Sequence, residues 1–307
     1  MYNAERYIKE TLLSVMAQTM QNFHLLIIND CSTDQSVDIV KKFFENHPRE
    51  YELVNIVGNR GLCTGRRYVE DHTTTKYIMF LDADDILYPQ AIKTMYNKIT
   101  SDEDLMAVGC YLEYIDEKSE KLGGGIFLGE TTKESFYKKA AKEKLIFMQP
   151  TAIYDREVAL SVGGHNIYGF PKDKPRYQDF CEDLDLWTRM SDLYKEGKAI
   201  VVIPEILCQY RKYSTAMSTN SGGMILRMRH IKANLKRRRK GETELSFIEF
   251  RQQLSNDELS KIKKDAKSAD SLRAAYYNFK RGKLLKGIKN MEISVKNNPH
   301  YIIDKIR

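Results

Sequence analysis

The chain has 307 residues, of which 42% are hydrophobic and 30% are charged, as in soluble globular proteins of one large domain or two. No apolar run approaches the roughly 18 residues of a membrane-spanning helix, and no basic segment followed by an apolar one marks a secretory signal, so the cytoplasm is the expected location. The five cysteines are scattered and form no C-x-x-C pair, which argues against a disulfide framework or a zinc site.

Charge divides the chain into two parts. Residues 221–307 contain 22 Lys and Arg against 9 Asp and Glu, a balance of +13, whereas residues 1–220 have a balance of −6. We therefore predict one domain over 1–220 and a basic, helical region over 221–307. A basic region can contact nucleic acid, anionic lipid or an acidic partner, and charge alone does not choose among them.

The first 90 residues alternate between helical and strand patterns. Apolar residues recur at helical spacing in 4–19 and 32–47, whereas 23–30, 51–57 and 76–82 read as short apolar strands. This α/β alternation predicts a mostly parallel sheet that binds ligands beyond the carboxyl ends of its strands. The acidic ends of two strands, at Asp30 and at Asp82, should then lie on the same rim.

Residues 100–220 continue the α/β pattern less regularly. We predict a strand over 104–116, a glycine turn at 123–125, and then a strand, a helix and a glycine-rich loop over 150–166. An amphipathic helix follows and ends at Gly197, and a further strand with an extended continuation occupies 199–213.

Three carboxylates follow the apolar strand "YIMFL" as Asp82, Asp84 and Asp85. Hard oxygen ligands at a strand end suit Mg²⁺ or Mn²⁺, which bind through one or two carboxylates together with substrate phosphates. The D-x-D spacing puts Asp82 and Asp84 toward one face. For Asp85 the alternative is that it caps the helix that begins near Pro89.

Two weaker motifs come earlier in the chain. Asp30 could accept hydrogen bonds from a base or a sugar at the rim of the sheet. In "NRGLCTGRR", residues 59–67, the glycines permit close backbone approach and Arg66 and Arg67 offer planar donors, although a basic turn and helix start is the simpler interpretation.

A further acidic pair, Glu182 and Asp183, begins the amphipathic helix of "EDLDLW". Either carboxylate could face the first acidic cluster across a cleft and act as a general base toward a hydroxyl nucleophile. The alternative is favourable helix-dipole charge at a helix N-terminus.

Six motifs occur in an order that resembles the family 2 glycosyltransferases of GT-A fold: "MYNAERYIKETLLSVMAQT", "INDCSTDQSVDIV", "NRGLCTGRR", "YIMFLDADD", "VGG" and "EDLDLW". The resemblance covers nearly all of residues 1–215. It implies a Rossmann-like mixed sheet, and it implies that Asp30 reads the base, that Arg66 lies near the base or the diphosphate, that Asp82 lies near the ribose and metal, and that Asp84 is the direct metal ligand.

The resemblance also implies the catalytic and acceptor residues. Asp183 matches the usual catalytic base, with Glu182 as its reserve, whereas Gly163, Gly164 and Trp187 match the acceptor side; a tryptophan at this spacing is as often a core residue. The implied reaction is inverting transfer from a nucleotide sugar, most often a UDP-sugar, with Mn²⁺ or Mg²⁺. The implied acceptor is a glycan, glycolipid or glycoprotein of a bacterial cell surface, and no nucleic acid partner is implied.

The chain departs from the family pattern in two places. The family ordinarily begins with an apolar strand, and this sequence begins at Met1-Tyr2-Asn3; we expect that strand to be absent here and Tyr2 to be the remaining base-stacking residue. In "QYRKY" Tyr213 stands where related enzymes often carry a histidine that helps to hold the metal or diphosphate. Arg211 remains a candidate donor to the diphosphate.

The basic region offers two further predictions. Residues 224–240 carry apolar side chains at helical spacing among cations, which predicts either contact with an anionic membrane, on its inner face, or a helix docked on the catalytic domain with its basic face in water. Residues 274–301 resemble one helix pair of a tetratricopeptide-type repeat, for which internal packing or contact in a homodimer is the plainer interpretation.

Two other functions compete with glycosyl transfer. A phosphatase of the haloacid dehalogenase type also uses D-x-D after a strand, but there the motif usually follows the first strand and continues with Thr or Val. A non-catalytic protein that binds a sugar nucleotide or acts as a scaffold is the other alternative, given the missing strand.

Overall fold

The computed structural model describes residues 1–213, 220–280 and 282–299, which form two units. The first comprises Met1–Ile167 and Glu182–Tyr213, and the second comprises Tyr168–Cys181 and the described residues from Asn220 onward. The segment 168–181 thus groups with the second unit although it lies within the range 1–220. No described helix has both the length and the apolar character needed to span a membrane.

The first unit is a mixed α/β structure. Its helices are α1 (Ile8–Met16), α2 (Ser36–Asn46), α3 (Leu62–His72), α4 (Ala91–Thr100), α5 (Lys133–Ala141), α6 (Arg156–Ser161) and α7 (Glu182–Met190). Its strands are β1 (Leu26–Asn29), β2 (Glu52–Asn55), β3 (Tyr77–Met79), β4 (Ile86–Leu87), β5 (Leu105–Ile115), β6 (Lys121–Ile126), β7 (Ile153–Asp155) and β8 (Ala199–Arg211). These elements confirm the predicted order of strands and helices.

The strands form two sheets. β1 and β2 pair in parallel, and the other strands follow the order β3-β7-β5-β8-β4, with β6 on β5. Only β5 and β8 are parallel in the larger sheet, so the prediction of a mostly parallel sheet was wrong. Parallel pairing needs a crossover between the strands; here β5 turns back at 116–120 into β6, and β3 and β4 run antiparallel to their neighbours β7 and β8.

The central strands form the core of the first unit. Residues 199–203 of β8 are all buried, as expected for a strand that is covered on both faces. A smaller cluster, which includes Ile8, Leu12, Val40 and Phe43, packs α1 and α2 against β1.

The glycines at 123–125 lie in β6 and do not form the predicted turn. The chain reverses just before them, at 116–120, where Ser119 has a positive φ of 66°. A side chain at Gly125 would come within 2.9 Å of the Leu112 carbonyl oxygen on β5, so close approach of the two strands explains this glycine.

The second unit is helical, as predicted for the C-terminal region. It contains α8 (Ser221–Arg239), α9 (Phe247–Gln253), α10 (Asn256–Lys280) and α11 (Leu284–Asn297). Leu226, Ile231 and Leu235 of α8 are buried, and Leu226 packs with Phe247 and Phe250 of α9. These apolar side chains of α8 are therefore part of the core of the second unit.

Candidate active site

Asp82 and Asp84 lie in the loop after β3, each with one carboxylate oxygen bonded to another side chain. Asp82 Oδ1 accepts a hydrogen bond from Arg66 Nη2 at 3.2 Å, and Asp84 Oδ2 accepts one from the Tyr213 hydroxyl at 2.8 Å. Burial, followed by the charge of Asp82, raises the pKa of Asp84, and burial and Asp84 raise the pKa of Tyr213. The Tyr213 phenol is thus a hydrogen-bond donor to Asp84.

Asp85 is buried, and it does not cap the following helix. Its Oδ1 accepts the backbone N–H of Arg211 at 2.9 Å, and in the first turn of α4 the Ile92 N–H is bonded to Gln18 Oε1 at 3.0 Å instead. The interpretation of Asp85 as a cap was therefore wrong. Burial and the neighbouring charges of Asp82 and Asp84 raise its pKa well above the ordinary range.

The guanidinium of Arg66 joins the two acidic motifs. Nη1 donates to Glu182 Oε1 at 2.8 Å and Nη2 donates to Asp82 Oδ1, and the group lies over the Phe80 ring. Arg66 is 3% exposed, and although burial opposes its charge, Glu182 and Asp82 raise its pKa. Its two terminal nitrogens are engaged by carboxylates, which makes Arg66 a link between α3, the D-x-D loop and α7.

Glu182 and Asp183, at the start of α7, differ in environment. Glu182 is buried against Arg66, and burial raises its pKa to about 8 although Arg66 opposes the shift. Asp183 is half-buried, and burial raises its pKa as well. A carboxylate with a raised pKa is the stronger base, and Asp183 is the member of the pair that reaches solvent.

The residues at the D-x-D loop suit a divalent cation that a substrate helps to hold. Among residues 1–213, 220–280 and 282–299 no group of three or more His, Cys, Asp or Glu forms a metal site. Asp82 and Asp84 supply two carboxylates, and Mg²⁺ or Mn²⁺ bound to enzymes commonly takes one or two carboxylates and completes its shell with substrate phosphates and water. The pair therefore fits such an ion as a partial ligand set.

Arg211, the candidate hydrogen-bond donor to the diphosphate, is 2% exposed, and its side chain is hydrogen-bonded inside the protein. Its guanidinium lies over the Tyr7 ring, with 4.4 Å between its central carbon and the ring centroid. Nε donates to the Asp84 carbonyl at 2.8 Å, and Nη1 donates to the Asp116 carbonyl at 2.8 Å and to the Ser119 hydroxyl at 2.9 Å. Nη2 donates to Glu10 Oε2 at 2.7 Å. Every nitrogen of the side chain is thus bonded within the protein.

Asp30 and Tyr2 lie at the end of β1 and before α1. Both oxygens of Asp30 accept backbone N–H groups, from Arg60 and Gly61 at 2.7 Å each, so this carboxylate anchors the loop that leads into α3. Tyr2 is 49% exposed and accessible to a base. Ala83, between Asp82 and Asp84, packs against the apolar cluster that contains Ile27 of β1, so the D-x-D loop lies near the strand that ends before Asp30.

Gly163 and Gly164 form a fixed loop, and both have positive φ, of 96° and 61°. Arg67 donates to the Gly163 carbonyl, and Arg189 of α7 donates to the Gly164 carbonyl at 2.7 Å. A Cβ on Gly164 would lie 2.6 Å from the side chains of Arg67 and Glu70. Glycine is therefore required here by conformation and by space.

Trp187, predicted on the acceptor side, lies in the core. It is 2% exposed and packs edge to face on Tyr154, with ring centroids 5.5 Å apart. This burial matches the alternative of a core tryptophan, and we do not include Trp187 in the candidate site.

Sequence reasoning missed a buried polar network beside the glycine loop. Glu70 of α3 is fully buried and accepts hydrogen bonds from the Tyr154 hydroxyl at 2.9 Å and from the backbone N–H and Nδ1 of His165 at 2.7 Å each. No local signal could identify it, because Glu70 and His165 are 95 residues apart. The pairing of Asp185 with Arg189 could have been found from its i, i+4 spacing on a predicted helix.

His165 predicts a pH dependence of stability. Burial lowers its pKa although Glu70 opposes the shift, so the folded protein keeps the imidazole neutral below the ordinary value near 6.5. As pH falls below about 6.5 the unfolded chain takes up a proton that the folded chain does not, and the free energy of unfolding decreases by up to about 1.4 kcal/mol per pH unit. His165→Asn keeps an N–H donor near Nδ1, and the difference between its free energy of unfolding and that of the parent should change with pH by this amount in urea unfolding between pH of about 7 and 5.

The control for this prediction is His24→Asn, at an exposed histidine, which should leave the slope as in the parent. Glu70 does not add to the slope between pH of about 7 and 5. Its pKa is lowered, so its contribution to the free energy of unfolding is lost only as pH falls below about 4.5. An unchanged slope in His165→Asn would show that His165 is not the group responsible.

Comparison with known proteins identifies the family. The sequence model described as "Glycosyl transferase family 2" matches residues 1–162. The chain belongs to this family. The D-x-D loop, Asp30 and Arg66 all lie within the matched range, and the match excludes the alternative of a haloacid dehalogenase phosphatase.

Two relatives illustrate the range of similarity. An uncharacterized glycosyltransferase of Haemophilus influenzae is 27% identical over 219 residues, which cover 71% of this chain and 65% of that protein. The teichoic acid poly(glycerol phosphate) polymerase of Staphylococcus epidermidis is 36% identical over 106 residues, which cover 34% of this chain and 15% of that protein. The chain thus spans only part of each relative.

Solved structures show the fold. Residues 1–349 of S. aureus TarS in complex with UDP-GlcNAc align with a TM-score of 0.54 at 18% identity, covering 95% of this chain and 88% of that one. The mannosyltransferase PcManGT of Pyrobaculum calidifontis, in complex with GDP-Man and Mn²⁺, aligns with a TM-score of 0.52 at 17% identity, covering 97% and 84%. The predicted GT-A fold is confirmed.

Proposed function

We propose that this glycosyltransferase moves a sugar from a nucleoside diphosphate donor to a hydroxyl acceptor with inversion. The main support is the Arg66 link, which holds the nucleotide-side carboxylate Asp82 beside the helix start that carries Asp183. Its neighbours TarS and PcManGT bind UDP-GlcNAc and GDP-Man, which supports a nucleotide-sugar donor. We favour a UDP-sugar, in keeping with the sequence prediction.

In the proposed reaction Asp183 removes the proton of the acceptor hydroxyl as its oxygen bonds to the anomeric carbon. The bond from that carbon to the diphosphate oxygen breaks with its electron pair, so the nucleoside diphosphate leaves and the configuration inverts. Asp82 and Asp84 would hold Mn²⁺ or Mg²⁺, which supplies charge neutralisation for the departing diphosphate. Tyr213 orients the Asp84 carboxylate through its hydroxyl.

We place the donor at the rim of the sheet, where the acidic ends of β1 and β3 lie. Tyr2 is exposed there for stacking on a base, and Asp30, fixed by the N–H groups of Arg60 and Gly61, can use its remaining lone pairs as acceptors. Gly163 and Gly164 would line the acceptor side. We propose a cell-surface polymer or glycolipid as acceptor, because one relative is a teichoic acid polymerase.

The test is a screen of UDP- and GDP-sugars for hydrolysis and transfer, with Mn²⁺, with Mg²⁺ and with EDTA. We expect one donor to release nucleoside diphosphate in a cation-dependent way, and release at a higher rate with a glycan acceptor. Nucleotide binding without turnover of any donor would instead support the non-catalytic, sugar-nucleotide-binding alternative.

A further inference from the structure

Helix α11 presents large apolar side chains to solvent. Leu284, Leu285, Ile288 and Val295 are 64%, 84%, 49% and 45% exposed. On the adjacent α10, Tyr276 and Phe279 are also exposed, at 51% and 36%. We refer to these six residues as the α10–α11 face.

The residues that α11 turns toward α10 are small and polar. Gly287 and Ser294 are buried, Ser294 exchanges hydrogen bonds with Ser268 of α10, and a Cβ on Gly287 would lie 2.4 Å from the Phe279 ring. The helix pair is therefore held largely by close backbone approach, and the four exposed apolar side chains of α11 contribute little to it. This reverses the usual burial of an amphipathic helix and indicates an external partner.

A shallow groove of about 400 Å³ runs along this face, and its lining is almost entirely apolar. Ile288, Met291 and Val295 form one side and Phe279 forms the other, while the side chains of Glu292 and Lys296 reach its border. The groove is open to solvent. It therefore suits the acyl region of a membrane better than a small ligand, because a small-ligand site normally encloses its ligand.

Charge decides between the partners that could cover this face. Residues 283–297 contain four lysines, Lys283, Lys286, Lys289 and Lys296, and one acidic residue, Glu292. A second copy of the chain would bring the same lysines against these, and like charges at close range oppose association. Anionic lipid is complementary: apolar side chains enter the acyl boundary while lysines extend toward the headgroups.

We propose that the α10–α11 face binds the surface of an anionic membrane. Here α11 lies in the plane of the interface with Leu284, Leu285 and Ile288 inserted and Lys289 and Lys296, which flank the apolar side of the helix, at the phosphates. Residues 224–240, the segment that the sequence offered for this role, use their apolar side chains within the core of the second unit. The inference concerns location and does not depend on the transferase chemistry.

The experiment is cosedimentation of the full chain with vesicles of phosphatidylcholine alone and of phosphatidylcholine mixed with phosphatidylglycerol. We expect binding only to the anionic vesicles and a loss of binding at high salt. Leu285→Ser with Ile288→Ser should abolish binding, and Val57→Ser, at an apolar residue that is 85% exposed in the first unit, should not. Lys289→Gln with Lys296→Gln should weaken binding by about fivefold per charge, whereas Lys41→Gln with Lys42→Gln on α2 should not.

Several results would overturn the proposal. One is equal binding by the Leu285→Ser, Ile288→Ser variant and the parent, and another is no binding to anionic vesicles. A concentration-dependent dimer that this variant abolishes in light scattering would assign the face to a second copy. A fall of several degrees in its melting temperature would show that another part of the chain already covers the face.

Discussion

Asp183→Asn is expected to abolish sugar transfer while nucleotide binding is retained. Asparagine has nearly the same size and can still occupy the first turn of α7, but its amide cannot accept the acceptor proton. Loss of a general base lowers turnover by about 100-fold to 10,000-fold. Initial rates with the donor found in the screen, and nucleotide affinity by calorimetry, measure the two quantities separately.

Glu182→Gln is the matched control, because it removes the neighbouring carboxylate. Its Oε1 is bonded to Arg66 at 2.8 Å, so the substitution weakens one buried ion pair and leaves the more exposed Asp183 in place. We expect a smaller loss of turnover together with a loss of stability. If Glu182→Gln abolishes transfer and Asp183→Asn does not, Glu182 is the base, and the reserve assignment from the sequence becomes the correct one.

The fold was largely predictable, because it depends on local patterns. Apolar runs that end in carboxylates identified β1 and β3, and helical spacing identified α2 and α7. The relative direction of the strands was predicted wrongly, because the pairing between β3 and β7 is set by contacts between residues some 75 positions apart, which no local pattern records. The glycines of β6 were misassigned for a related reason: only the partner strand reveals whether a glycine serves a turn or a close approach.

The site was predictable in its carboxylates and less so in its arginines. Asp82, Asp84 and Asp183 are recognisable because short motifs carry them, and their roles stay predictions. Arg66 and Arg211 also lie in motifs, but their partners are 116 and 201 residues away in Glu182 and Glu10. The same distance hides Glu70, whose three hydrogen bonds connect α3, β7 and the glycine loop.

Arg211→Met is expected to destabilise the protein by about 3 kcal/mol, since three half-buried acceptors lose the hydrogen bonds that the buried guanidinium donates to them. Those acceptors are the carbonyls of Asp84 and Asp116 and the hydroxyl of Ser119. Glu10 is 42% exposed at its side chain, and water can replace its lost partner. Urea unfolding measures the effect, and Arg211→Lys should recover only part of it, because one ammonium cannot reach acceptors on three sides.

Glu10→Gln is the control for Arg211→Met. It removes one charge partner of the guanidinium, an exposed carboxylate, and should lower the free energy of unfolding by about 1 kcal/mol or less. Stability and diphosphate affinity together separate the two roles that Arg211 could have, a structural one and a diphosphate-binding one. If the role of Arg211 is structural, Arg211→Met unfolds at a lower urea concentration than the parent. Folded Arg211→Lys then keeps an affinity for nucleoside diphosphate within a few fold of that of the parent. If Arg211→Met instead keeps the parent stability and loses diphosphate affinity, Arg211 leaves its internal acceptors when substrate binds, and the diphosphate role that the sequence predicted is the correct one.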